Sequence, residues 1–271
     1  MAFTSSVLTL ERRGAVATLW LDRPEQRNAM GRAFWEDLPH AAAAVRAERD
    51  LRVLVIAAKG PHFTVGLDLK EMAGGLMGNG DAASPASRNA ARYEAVRTMQ
   101  DAVNSIADLP IPVIAAVHGY CIGGGVDLTT ACDIRLAAPS ATFSVRETKV
   151  AIVADLGTLQ RLPRIIGAGH VAELAYTGMD IDAERAAAIG LVNRVADDVL
   201  AAAYELAEQI AANSPLAVQG TKAVLAANDG RTVAEGLEFV ATWNTLYLRS
   251  DDLTEAMTAF IERRPPTFTG S

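Results

Sequence analysis

An α/β fold carrying a helical C-terminal section is predicted for this chain of 271 residues by three observations. Short, almost wholly apolar runs rich in β-branched residues end in glycine, stretches of helical periodicity separate them, and after about residue 196 only the helical periodicity continues. Residues 1–196 therefore read as an α/β body, and residues 197–271 as helices attached to it.

Taken in order, "VLTLERRGAVATLWLDR" alternates apolar and polar residues about Gly14, which predicts a hairpin. "LRVLVIAAKG" and "IPVIAAVHG" lack polar alternation, as expected of strands covered on both faces. "NAMGRAFWEDLPHAAAAVRAER" and "AARYEAVRTMQDAVNSIADLP" repeat apolar residues at helical spacing in good helix formers. "VDLTTACDIRL" is expected to be a helix opened by glycines. Four helices are predicted beyond residue 196, broken at Ser214-Pro215 and at Asn228-Asp229-Gly230. The small polar stretch Ala73–Asn89 is the candidate mobile loop.

Composition narrows the function. A formal charge of −7 without any basic stripe argues against nucleic-acid partners. The best apolar run is broken by Pro112, His118 and glycines, which argues against a membrane span, and the N-terminus lacks the pattern of a signal peptide. Cys121 and Cys132 have no ligand-like companions, so neither a disulfide framework nor a metal site is expected, and a reducing, cytoplasmic compartment is.

The stretch "HGYCIGGGVDL" has the glycines of a phosphate loop without the spacing, since neither G-x-G-x-x-G nor G-x-x-x-x-G-K-[ST] occurs. What remains is a strand running through Gly123-Gly124-Gly125 into a helix, whose free N–H groups favour a negative oxygen. "GPHFTVGLDLKEM" has the same character, and two such turns can converge on one carbonyl oxygen as an oxyanion hole; each alone is also ordinary strand-to-helix punctuation. Asp127, Glu147 and Asp155 lie in largely apolar stretches, where carboxylates exchange protons near neutral pH; the bland alternative is that they cap helices or pair with Arg146, Lys149 and Arg161. His118 reads as a base or as a satisfied histidine orienting the turn, and His40, His62 and His170 form no triad or ligand pattern with it.

Six ordered blocks, "LDRPEQRNAM", "FTVGLDLKEM", "IPVIAAVHGYCIGGGVDLTTACDIRLA", "GTLQRLPRIIG", "AERAAAIGLVNRV" and "AFIERRPPTF", together resemble the crotonase, or enoyl-CoA hydratase/isomerase, superfamily. The resemblance implies a spiral of ββα units with a C-terminal helical trimerisation section, assembled as a homotrimer or homohexamer, and an acyl-CoA thioester as ligand, with no separate cofactor. It places the thioester oxygen between the N–H groups of Leu67 and Gly124, with Val65, Gly66, Asp68, Leu69 and Gly123 along the substrate. Phe260 would cover a site of the same or a neighbouring subunit, and Arg27 and Lys70 are either CoA contacts or solvated surface.

Within the superfamily, Asp127, Glu147 and Asp155 together with "DLGTLQRLP" look like the Δ3,5-Δ2,4-dienoyl-CoA isomerase subgroup. That implies proton removal at carbon 2 by Glu147 and delivery at carbon 6 by Asp155, or the reverse, with Asp127 tuning its neighbours. The alternatives are a 2-enoyl-CoA hydratase and a non-catalytic acyl-CoA-binding protein. Two departures from the pattern bear on substrate choice: Ala151 where glycine is usual, and Lys149 where an acid is frequent, close enough in sequence to lower the pKa of Glu147.

Overall fold

The computed structural model describes residues 3–71 and 84–271. The hairpin about Gly14 is β1 (Leu8–Arg13) and β2 (Val16–Leu21), paired antiparallel with Leu8 opposite Leu21. From β2 the sheet continues in parallel through β3 (Val53–Ala58), β4 (Val113–Val117), β6 (Ile134–Ala137) and β9 (Arg194–Val195), giving the order β1-β2-β3-β4-β6-β9. A second sheet combines β5 (Tyr120–Ile122), β7 (Thr142–Ser144) and β8 (Ile181–Asp182).

The unbroken apolar runs have a direct cause. Leu54, Ile56 and Ala58 of β3 enter one core with α1 (Arg32–Ala47) and α2 (Pro85–Ala107), while Val53, Val55 and Ala57 enter a second core on the opposite face. That second core is closed by α8 (Val199–Ala211) through Val199, Ala203 and Ala207. A strand side chain is worth roughly 1.5–3 kcal/mol when fully buried, so each face stabilises the sheet by a comparable amount. The tail of the chain is stitched to this back face as well: Arg52 donates to Ala211 O at 2.7 Å and to Phe268 O, and the Tyr204 hydroxyl bonds Thr18 Oγ1 at 2.8 Å.

Three short helices, α4 (Thr158–Arg161), α5 (Pro163–Ile166) and α6 (Ala168–Thr177), link β7 to β8, and a fourth, α7 (Ala183–Ala188), leads from β8 to β9. After α8 come α9 (Pro215–Ala227), α10 (Val233–Tyr247) and α11 (Asp251–Glu262), each opened by a Ser or Thr cap: Ser214 at the first predicted break, Thr232 just after the second, and Ser250. The helical section beyond residue 196 thus divides: α8 is part of the body's core, whereas α9 to α11 carry exposed Leu225, Val233, Leu237, Leu246, Met257 and Ile261.

Two expectations need correction. The helix after the triple glycine, α3 (Gly124–Thr130), ends six residues early, and "DIRL" supplies β6 because Ile134–Ala137 pair in register with Ile114–Val117. Within the predicted loop Ala73–Asn89, residues 73–83 lie outside the described residues, and the remainder is helical: Ser84 accepts the Ser87 N–H and Pro85 takes the first position of α2, an N-terminal signature that the small polar composition obscures.

Candidate active site

Two glycine turns abut at the centre of the molecule. A parallel bridge between Met30 and Leu67 is made by Met30 N–H donating to Gly66 O at 2.8 Å and Asp68 N–H to Met30 O at 3.0 Å. A second, between Thr64 and Cys121, ties this turn to β5 and so to the triple glycine. The first turn is knitted from inside by buried Asn28, whose side chain donates to Lys59 O and His62 O and accepts from Arg23 N–H, and by Thr64, which donates to Asn28 O at 2.6 Å and accepts from Gly66 N–H.

Gly66 has a φ of +80°, and a Cβ there would stand 2.5 Å from Ile122 O and 3.3 Å from Gly124 N. The second turn can lie against the first because this position has no side chain. Gly124 packs on Met30 and Trp35. Among the described residues no hydrogen bond engages the N–H of Leu67 or of Gly124. Unengaged donors on abutting turns, one of them opening a helix, are groups that can stabilise an oxygen gaining negative charge.

The carboxylates gather beside the second turn. Glu147 lies in a 3-10 turn (Glu147–Val150), and its Oε1 would be 3.3 Å from a Cβ on Gly123, where φ is +53°. Among the described residues its Oε2 is buried without a hydrogen-bond partner. Burial, reinforced by Asp127 and Asp155, pushes the Glu147 carboxyl up to about 7. Asp127, 1% exposed in α3, accepts the Thr158 N–H on Oδ1 at 2.7 Å; burial carries it up to about 6 against the hydrogen bonds from Thr158. Burial also raises Asp155, in the irregular segment before α4. A buried acceptor left open is costly, and raised carboxylates of this kind are the groups that can exchange protons near neutral pH.

The candidate partners of these acids make their hydrogen bonds elsewhere, although the charge of Arg161 still acts on Asp127. Arg146 pairs with Asp180, and Arg161 donates to Asn104 Oδ1 and Leu156 O. Lys149 runs along Gly178 and its charge acts on Asp180, while the Glu147 carboxyl is shifted up, chiefly by burial, and not down. Ala151 adopts φ +59°, the left-handed conformation suited to glycine, so the turn after Glu147 keeps its course without one.

Other predicted residues fall into different surroundings. Val65 and Gly123 flank the two turns, while Leu69 is 52% and Phe260 82% exposed. The Asp68 side chain is fully occupied, with Oδ2 at 3.0 Å from Arg23 and Oδ1 accepting the Lys70 and Glu71 N–H groups, so it braces the turn. His118 Nε2 bonds Gly60 O at 2.8 Å, in keeping with an orienting histidine, and His62 stacks on Tyr120. Sequence reading missed Asn28, Thr64 and Thr158; the Arg27-Asn28 pair in left-handed conformation is a signal only for asparagine's tolerance of that region.

The profile of the enoyl-CoA hydratase/isomerase family matches residues 11–271. The chain belongs to this family. Among its members, a mitochondrial Delta(3,5)-Delta(2,4)-dienoyl-CoA isomerase of Dictyostelium discoideum is 42% identical over 96% of this chain and 90% of its own length. A peroxisomal protein of the same name from Arabidopsis thaliana is 39% identical, covering 98% of this chain and 96% of that one. A mitochondrial one from Homo sapiens is 43% identical over 90% of this chain and 75% of its own. Among solved structures, an enoyl-CoA hydratase from Bacillus anthracis superposes with a TM-score of 0.89 at 33% identity, over 98% of this chain and 100% of that one. The enoyl-CoA hydratase/isomerase family thus accounts for the fold, including its mostly parallel sheet and helical C-terminal region.

Proposed function

We propose that this chain is an acyl-CoA isomerase that converts a 3,5-dienoyl-CoA thioester to the 2,4-dienoyl-CoA. One observation carries the reading: three carboxylates raised by burial act on one another beside the glycine turn that bears one of two unengaged N–H donors, and the third of them, Asp155, is more than hydration at carbons 2 and 3 requires. The relatives named above point the same way.

In this reading the ionised Glu147 takes the carbon-2 proton, and the electron pair of that C–H bond spreads through the conjugated unit onto the thioester oxygen. The Leu67 and Gly124 N–H groups stabilise that oxygen; losing one such donor costs roughly 3 kcal/mol of transition-state energy. Protonated Asp155 delivers its proton to carbon 6, and the electrons settle into the 2,4-diene. Asp127 holds the Thr158 end of the loop and, by its charge, keeps Glu147 basic. No separate cofactor enters the scheme.

The test is Asp155→Asn, followed by the absorbance of the 2,4-dienoyl thioester. Loss of isomerisation by about 10²–10⁴-fold, the range for a positioned acid or base, is expected, and an unchanged rate would refute the assignment. Strong hydration of a 2-enoyl-CoA by the wild-type protein with no dienoyl conversion would make it a hydratase instead. Tight acyl-CoA binding without turnover would make it a binding protein.

The exposed apolar residues of α9 to α11 support oligomerisation through residues 197–271, as a homotrimer or homohexamer, which sedimentation equilibrium decides. The relatives named above are mitochondrial or peroxisomal, whereas the buried, free Cys121 and Cys132 fit any reducing compartment, the cytoplasm being our reading. Among the described residues no helix is long and apolar enough to cross a membrane.

A further inference from the structure

The segment Val153–Leu156, which carries Asp155, takes part in no backbone-to-backbone hydrogen bond among the described residues. Before it, Ile152 N–H donates to Glu147 O at 3.0 Å; after it, Gln160 N–H donates to Gly157 O at 3.1 Å. Two side chains supply what the backbone does not. Gln100 Nε2 donates to Asp155 O at 2.6 Å, and Arg161 donates to Leu156 O at 3.5 Å while its other nitrogen is held by Asn104.

Gln100 and Asn104 stand one helical turn apart and so share a face of α2. Ala102, Val103 and Ile106 anchor that stretch of the helix in the main core, at 0% exposure each. The Gln100 amide is also fixed in its sense: Oε1 accepts from Arg97 at 2.8 Å, and Arg97 pairs with Asp101, which leaves the amide nitrogen for Asp155.

We propose that Gln100 is a positioning residue for Asp155, holding the distal proton carrier by its own backbone carbonyl; this rests on the role given to Asp155 above. Its amide bonds the peptide and not the carboxylate, so it occupies neither carboxylate oxygen of Asp155. Without that bond the peptide plane between Asp155 and Leu156 is free to turn, and the carboxylate swings with it. Misplacement of a reacting group by about 1 Å costs on the order of 10²-fold in rate.

The test is Gln100→Met, which keeps the length of the side chain and removes the donor. Two rates are followed with 3,5-dienoyl-CoA in deuterated water: isomerisation, and exchange of the carbon-2 proton, which needs Glu147 and the N–H pair but not Asp155. Isomerisation is expected to fall about 10- to 100-fold in kcat, with KM and carbon-2 exchange close to wild type. An undiminished kcat would overturn the proposal, as would exchange falling in step with isomerisation, the mark of general damage to the site. Should Gln100→Met not fold, Arg97→Met, which frees the amide to rotate, is expected to give a smaller loss with the same split, and equal rates would overturn the proposal. The wild-type assay is read first: no dienoyl turnover there defeats the proposed function, whereas an active wild type beside an equally active Gln100→Met defeats only the role of Gln100.

Discussion

The backbone N–H of Thr158 is bound to Oδ1 of Asp127 at 2.7 Å, both residues being almost wholly buried. This bond joins the helix that opens at the triple glycine to the start of α4, and so fixes the loop of Asp155 relative to the turn of Gly124. Asp127 is therefore a structural joint as well as a charge. Asp127→Ala leaves a buried N–H without an acceptor, a loss of roughly 1–3 kcal/mol. Asp127→Asn retains an acceptor oxygen. Urea denaturation is expected to find the alanine variant destabilised by that amount and the asparagine variant close to wild type.

Glu147 predicts a pH dependence whose sign is opposite to that of a salt-bridged acid. Its pKa rises from 4.5 to about 7 on folding, with burial as the main cause. Between those values the native chain binds more protons than the unfolded one. Stability from this group is thus fully present below pH 4.5 and is lost as the pH climbs through about 7. One proton of difference corresponds to a slope of at most about 1.4 kcal/mol per pH unit. Glu147→Gln is expected to flatten the fall in stability over that window, measured by denaturation at a series of pH values. Because the base must be ionised, isomerisation by the wild type is expected to rise across the same window.

How legible these arrangements were differs from residue to residue. The strands of the main sheet could be read because Val53–Ala58 and Val113–Val117 are buried on both faces, and burial leaves its mark as unbroken apolar sequence. The carboxylates and the glycine turns could be read because they form local blocks with a recognisable order. Gln100 could not: it is a half-exposed residue on a helix, and its partner is a carbonyl 55 positions away that any residue type would present. Asn28 and Thr64 were hidden for the same reason, since side chains that bond backbone leave no complementary residue to look for. The strand "DIRL" was misread because the short helix before it passes its apolar pattern on without a glycine or proline to mark the boundary.

Gly66 is expected to be far more sensitive than Gly14, although both have positive φ. At Gly14 an added Cβ meets nothing within 4 Å, so alanine there bears only the backbone penalty of about 1–2 kcal/mol. At Gly66 the same Cβ is driven to 2.5 Å from Ile122 O, and relief of that clash separates the two unengaged N–H groups. Gly66→Ala is expected to lose about 10²–10³-fold in kcat, the cost of an oxyanion donor, while Gly14→Ala keeps its kcat and shows only a lower melting temperature. Equal kcat values for the two variants would remove the Leu67 and Gly124 pair from the mechanism.

Lys222 supplies a contrast in which stability changes and chemistry does not. Its Nζ donates from α9 to Asp133 Oδ2 at 2.8 Å and to Ile111 O at 2.9 Å, and the same Asp133 oxygen accepts the Val113 N–H at 2.7 Å. One ammonium thus clips the helical section to the N-terminal ends of β4 and β6, the ends away from the glycine turns. The Lys222 side chain is 13% exposed, so water does not replace these bonds freely when they are lost. Lys222→Met keeps the apolar stem and removes the charge, at an expected cost of roughly 1–3 kcal/mol. Each kcal/mol lowers the melting temperature of a chain of about this size by roughly 2–4 °C. Calorimetry is expected to record that fall while kcat on 3,5-dienoyl-CoA stays at the wild-type value. A parallel loss of kcat in the folded variant would instead mean that the seating of α9 is transmitted to the carboxylates.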